Sequence, residues 1–118
     1  MFSGRFARHQ RLLRPDEFKQ VFALPCKISD KHLSLLCRQN ELPYARLGLA
    51  IAKKQVKTAV GRNRIKRLSR ESFRQFQLQL AGLDIVVLAR ASAAQLTNKE
   101  LHGVLESLWQ RLIKKCKS

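Results

Sequence analysis

Residues 53–76 read KKQVKTAVGRNRIKRLSRESFRQF, and this stretch sets the helix around which the rest of the chain has to fold. At about 100° per residue, Ile65, Leu68, Ser72, Phe76 and Leu80 fall on one side of that helix, and Asn63, Arg67, Arg70 and Arg74 on the other. Between Lys53 and Arg74 stand nine Lys or Arg residues against one acid, Glu71, which supplies +8 of the chain's net +16. Like charges three and four positions apart on a helix cost roughly 0.2–0.5 kcal/mol per pair. A mixture of Glu and Lys would read as an ordinary solvated face, but a run of one sign requires an external anion to offset the repulsion. Arginine's planar fork matches phosphate oxygens, and the Arg62-Asn63-Arg64 triplet adds an amide able to contact phosphate, ribose or base. The expectation is a helix with one docking face and one face turned to a polyanion, nucleic acid above all.

Both flanks of this helix read as strands. Upstream, RLGLAIA (46–52) places Leu47, Leu49 and Ile51 on one face and Gly48, Ala50 and Ala52 on the other. The second face is almost bare, which admits either a packed helix or a bound chain of nucleotides. Downstream, Gly82 marks an exit turn, and LDIVVLA (83–89) is the short, apolar, β-branched run expected of an interior strand, hence of the sheet centre. Residues 31–39 alternate, with Leu33, Leu35 and Cys37 pointing one way and Ser34, Leu36 and Arg38 the other.

The remaining segments are helical or basic. Pro15 opens a helix with Asp16 and Glu17 in its first turn, ending before Pro25, and Phe18 and Phe22 share a face with Val21 close by. Such a pair reads either as core or as the wall of a groove. Met1 to Arg14, with Arg5, Arg8, Arg11 and Arg14, reads as an extended or poorly ordered basic arm whose end is tethered by Leu12 and Leu13. Thr97 to Glu100 fits a capping box, and Leu101, Val104, Leu105, Leu108, Leu112 and Ile113 continue at helical spacing into a Lys-rich end. The order is therefore α-β-β-α-β-α, a small α+β sandwich with helices on a short mixed sheet.

At 118 residues and 45% hydrophobic, the chain suits a single domain over residues 1–118 with a real but small core. Its 24 bases against 8 acids point to an anionic partner, nucleic acid or a membrane surface. No apolar run approaches the roughly 18 residues of a membrane span, and the first ten residues lack a signal-peptide core, so the expectation is a cytoplasmic protein without a membrane partner. Cys26, Cys37 and Cys116 are odd in number and widely spaced, supporting neither a disulfide framework nor a zinc site; Cys37 reads as a small core residue. His9, His32 and His102 are scattered. With no paired carboxylates and no nucleophile beside a base, the residues suggest no catalytic group and no protein-ligated metal.

The run AVGRNRIKRLSRESFR (59–74) resembles the signature of the bacterial ribonuclease P protein subunit. Phe18 and Phe22 after a basic Leu-Leu segment, RLGLAIAKK (46–54) and LDIVVLARASA (83–93) follow in that family's order, so the resemblance covers nearly the whole chain. It implies the accessory protein of an endoribonuclease, which binds a large catalytic RNA and helps it cut the 5′ leader from precursor tRNA. Magnesium would be held mainly by the RNA, and no obligate protein partner is implied. Carried over, the contact with catalytic RNA falls on Arg62, Asn63, Arg64, Lys66, Arg67 and Arg70, continued by Arg74. The leader cleft falls on Phe18, Phe22, Ser34, Leu36, Lys53 and Lys54. Some relatives carry an aromatic where Leu36 stands, which leaves base stacking to Phe18 and Phe22. The family fold also implies a left-handed strand-helix-strand crossover, as in a ribosomal-protein domain, where the general rule is right-handed.

Two other classes fit the charge. A structural RNA-binding protein of the ribosomal type would share the sandwich without needing a cleft for single-stranded RNA. A DNA-binding regulator would need a helix reading base edges, normally within a dimer.

Overall fold

The computed structural model describes residues 8–23 and 26–117. Helix α1 (Pro15–Ala23) starts where Glu17 Oε1 accepts the N–H groups of Leu13 and Arg14, at 3.1 and 3.0 Å. Strand β1 (Cys26–Ser29) turns into β2 (Leu33–Gln39) through Asp30, whose Oδ1 accepts from the N–H of His32 and Leu33. Then come β3 (Arg46–Ala50), α2 (Ala59–Phe76), β4 (Leu83–Ala89) and α3 (Asn98–Lys117). The sheet order is β1-β2-β4-β3; β4 runs antiparallel to β2 and parallel to β3. The mixed sheet and the inner position of residues 83–89 match expectation. β1 is an addition to the expected order, because four residues are too few for a periodic signal.

Both long helices are capped at their starts, α3 by the expected box. Thr58 Oγ1 accepts from Gly61 N–H at the start of α2. Thr97 and Glu100 exchange reciprocal bonds of 2.8 and 3.1 Å at the start of α3. Gly82 takes φ 91°, open to glycine without strain, in the turn before β4. α2 ends at Phe76, short of the Leu80 expected, although Leu80 is still buried in the following turn.

Alternation along the strands divides the sheet into two faces. On one, the registered rows Cys37–Ile85–Leu47 and Leu35–Val87–Leu49 meet α2 and α3. Here Ile65, Leu68 and Phe73 pack with Leu105, Leu108, Trp109 and Leu112. The Trp109 Nε1–H donates to Ser72 Oγ at 2.8 Å, so the indole is buried with its polar edge satisfied. The buried stripe of α2 is wider than expected and includes Ser69 and Phe73, because the helix lies against both the sheet and α3.

The other face carries the rows Leu36–Val86–Gly48 and Arg38–Asp84–Arg46, covered by α1 through Val21 and Phe18. A Cβ built on Gly48 would stand 2.7 Å from the Phe18 ring, so of the two occupants left open for this face, a packed helix or nucleotides, the helix takes the space at Gly48.

The basic arm is also not free from Arg8 onward. Residues 8–10 form a 3-10 turn, buried Gln10 donates through Nε2 to Gln77 Oε1 at 2.8 Å, and Leu12 N–H donates to Leu47 O at 2.9 Å. Arg11 bridges Leu47 in parallel, so this segment covers the outer edge of β3. Residues 1–7 of the expected arm lie outside the described residues.

Candidate nucleic-acid interface

α2 presents its polar side chains at two depths. Asn63, Arg67 and Arg74 are exposed, as are Lys53 and Lys54 in the turn after β3. Arg62 and Arg64 are half-buried and partly engaged. Arg62 Nη1 donates to the carbonyls of Val56 and Lys57 at 2.9 and 3.1 Å, and Arg64 donates to Asn98 Oδ1 and Ala94 O at 2.8 and 3.3 Å. These bonds tie the first turn of α2 to the preceding loop and to the start of α3.

Lys66 and Arg70, also half-buried, line a cleft of about 160 Å³ with Arg11, Leu12, Phe18, Leu47 and Leu49. It lies at the outer edge of β3, where residues from both faces of the sheet meet. Burial and the neighbouring Arg11 charge both push the Arg70 guanidinium below its usual range. Crowded cations on an apolar floor suit an anion with a flat apolar part. Arg70 was expected on the exposed side; Arg11 was read only as part of the arm, because nothing local in the sequence brings it to α2.

On the α1 face the expected leader residues separate. Phe22 is 45% exposed, whereas Phe18 is half-buried over Gly48. Leu36 packs with Val21 of α1, and Ser34 and Leu36, 5% and 6% exposed, offer almost no surface. Ser29, Leu88 and Ala50, which flank Ser34 in one registered row, are half-buried and leave some surface open. It leads along β3 toward Lys53 and Lys54. Leu88 escaped the sequence reading because it sits in an apolar run that marks its strand as interior.

The opposite end of this face is ionic. Asp84, fully buried, accepts from Arg46 Nε and Nη2 at 2.8 and 2.7 Å and from Asn40 Nδ2 at 2.8 Å, with Arg38 Nε 3.5 Å away. Burial alone would raise its pKa, but the hydrogen bonds from Arg46 and Asn40 and the charges of Arg46 and Arg38 prevail and lower it. Arg46 Nη1 also reaches Glu17 Oε2 at 2.8 Å, pinning the first turn of α1 to the sheet. Two of the chain's eight acids are thus consumed structurally.

The histidines stay apart: His9 meets Tyr44 edge-on, His32 bonds Ser92 Oγ, and His102 faces Glu71 at 3.8 Å. The cysteines do not. Cys26, Cys37 and Cys116, read as unrelated in sequence, converge from β1, β2 and α3 and are the group of three ligand-type side chains found among the described residues. No helix among the described residues is long and apolar enough to cross a membrane.

Comparison with known proteins identifies the family. The family model described as Ribonuclease P matches residues 6–113. The ribonuclease P protein component of Vibrio cholerae is 52% identical over 112 residues, covering 95% of both chains, and that of Aliivibrio salmonicida is 48% identical over 107 residues, covering 91% of this chain and 92% of its own. Among solved structures, the Staphylococcus aureus RNase P protein superposes with a TM-score of 0.80 at 27% identity, over 86% of this chain and 94% of that one. The Thermotoga maritima RNase P protein gives 0.77 at 28%, over 86% and 96%. Sequence and fold agree across nearly the full length, and the chain belongs to the ribonuclease P protein family.

Proposed function

We propose that this chain is the protein subunit of a cytoplasmic ribonuclease P ribonucleoprotein, binding its catalytic RNA and the 5′ leader of precursor tRNA while the RNA performs the cut. The observation that carries this reading is the family match over residues 6–113, which implies a role in tRNA 5′ processing and an RNA partner. In this reading Asn63, Lys66, Arg67, Arg70 and Arg74 meet the catalytic RNA. Arg62 and Arg64 hold the helix start in place and offer their remaining N–H groups to phosphate. Support comes from the surplus of cations on α2 and from the depressed pKa of Arg70, which a phosphate would relieve. Neutralising phosphates releases condensed counterions, which lets RNA and precursor approach at lower magnesium.

The leader runs past Phe22 and the half-buried Ala50 and Leu88 toward Lys53 and Lys54. Phe18, Ser34 and Leu36 support that surface from beneath. Magnesium at the scissile phosphate belongs mainly to the RNA, a division of labour consistent with Glu17 and Asp84 both being held by Arg46.

Reconstitution with catalytic RNA tests the reading. Phe22→Ala is expected to weaken binding of precursor tRNA by about 1–3 kcal/mol, the stacking of one base, and to leave binding of leaderless tRNA unchanged. Equal losses for both would remove Phe22 from the leader path. RNA-free protein with magnesium is expected not to cleave; specific cleavage by it would return the chemistry to the polypeptide.

A further inference from the structure

The three cysteines lie 11 to 90 positions apart, yet their sulfurs share one small volume on the seam between β1, β2 and the last turn of α3. Cys26 Sγ is 3.0 Å from Cys116 Sγ, Cys37 Sγ is 3.5 Å from Cys116 Sγ, and all three lie within 4.8 Å of one another. Cys37 is buried, and Cys26 and Cys116 are half-buried, so the cluster is closed below and accessible above. We infer that Cys26, Cys37 and Cys116 form a three-thiolate binding site for a thiophilic d10 cation of the zinc and copper(I) class, joining the first strand to the last helix.

Geometry and chemistry both favour this over a chance meeting of small apolar side chains. A tetrahedral zinc–thiolate centre with bonds of about 2.3 Å separates its sulfurs by about 3.8 Å. Two of the separations, 3.0 and 3.5 Å, are slightly shorter than that and the third is within 4.8 Å, so small side-chain rotations would seat a cation. A disulfide would use two sulfurs and leave the third without a role. Soft thiolates select zinc and copper(I) over magnesium. The complex would be anionic, and an open groove lined by Lys27, Arg111 and Lys115 runs along the same seam. Lys115 Nζ and Arg111 Nη1 donate to the Lys27 and Ser29 carbonyls at 3.3 Å each, so the surrounding positive charge is anchored.

Binding replaces S–H bonds with sulfur–metal bonds and releases the thiol protons to solvent. Each exchanged S–H bond frees one proton, so affinity should rise with pH.

The test uses the full-length, RNA-free, fully reduced and chelator-stripped protein, and so stands apart from its role with RNA. Zn²⁺ is titrated in competition with a chromophoric chelator, Cu⁺ in a second anaerobic arm, and Mg²⁺ serves as the hard-cation control. The expected result is saturation at one equivalent for at least one thiophilic cation and none for Mg²⁺, a raised melting temperature on saturation, and the stated pH dependence. Cys26→Ser, Cys37→Ser and Cys116→Ser should each weaken binding at least about tenfold, the lower end of what even outer partners of a metal site cost. Cys116→Ser, in the last helical turn, keeps the test valid if Cys37→Ser disturbs the core. Unchanged affinity in Cys116→Ser, no saturable uptake, or a Cys26–Cys116 disulfide on air exposure with no cation bound by the reduced protein would overturn the site.

Discussion

The two faces of the sheet are built on different principles. The α2/α3 face is apolar and closed, filled by Phe73, Trp109 and a row of leucines. Its neighbour under α1 is covered, among the described residues, by that nine-residue helix and Leu12, rests on a buried carboxylate held by arginines, and leaves Phe22, Leu88 and Ala50 partly open. β4 serves both, turning Ile85 and Val87 to the first and Asp84, Val86 and Leu88 to the second. One face therefore carries the stability of the fold, and the other combines an ionic anchor at one end with uncovered apolar surface at the other. A chain this short has little core to spare, and the proposed leader path takes the face that is less completely covered.

The sharpest way to break this division is at the ionic anchor. Asp84→Ala is expected to cost about 3–5 kcal/mol in urea unfolding, because it strands Arg46 and loosens Glu17. The folded pKa of Asp84 lies below its unfolded value, so its contribution is fully present above about pH 4 and is lost as pH falls through the folded pKa. The gap between wild type and Asp84→Ala should therefore narrow on acidification; a constant gap would mean that the charge is not what matters. Next comes a direct contrast between aromatics. Phe73→Ala should cost about 3–5 kcal/mol, as for a sealed core, whereas Phe22→Ala should stay within about 1 kcal/mol. Equal costs by thermal unfolding would erase the distinction between the faces.

The outward side of α2 belongs to neither face. Arg67→Ala should leave the melting temperature unchanged and lower the log–log salt slope of RNA binding by about 0.7–0.9, one phosphate contact. An unchanged slope would move the RNA off this helix. The smallest effect is inside the closed face, where the Ser69 hydroxyl is buried without a hydrogen-bond partner among the described residues. Ser69→Ala should be neutral or stabilising by up to about 1 kcal/mol, and a marked loss of stability would reveal a hidden partner for that hydroxyl.

What the sequence by itself determined is whatever depends on neighbours within a turn or two of chain. The apolar stripe through Ile65 and Leu68, the reciprocal cap of Thr97 and Glu100, the Gly82 turn and the interior strand 83–89 were all legible, because periodicity and capping are local. The resemblance in residues 59–74 pointed to the family for the same reason. Only the tertiary structure decided that Phe18 fills the space above Gly48, that Ser34 and Leu36 are buried, and that Arg11 joins Lys66 and Arg70. It also brought Arg46 to Asp84 and Glu17, and Cys116 to Cys26 and Cys37. Most of these partners lie tens of residues apart, and their meeting follows from the sheet order β1-β2-β4-β3 and the packing of helices on it. No pattern along the chain encodes that order locally, since it is the summed burial of both faces that selects it.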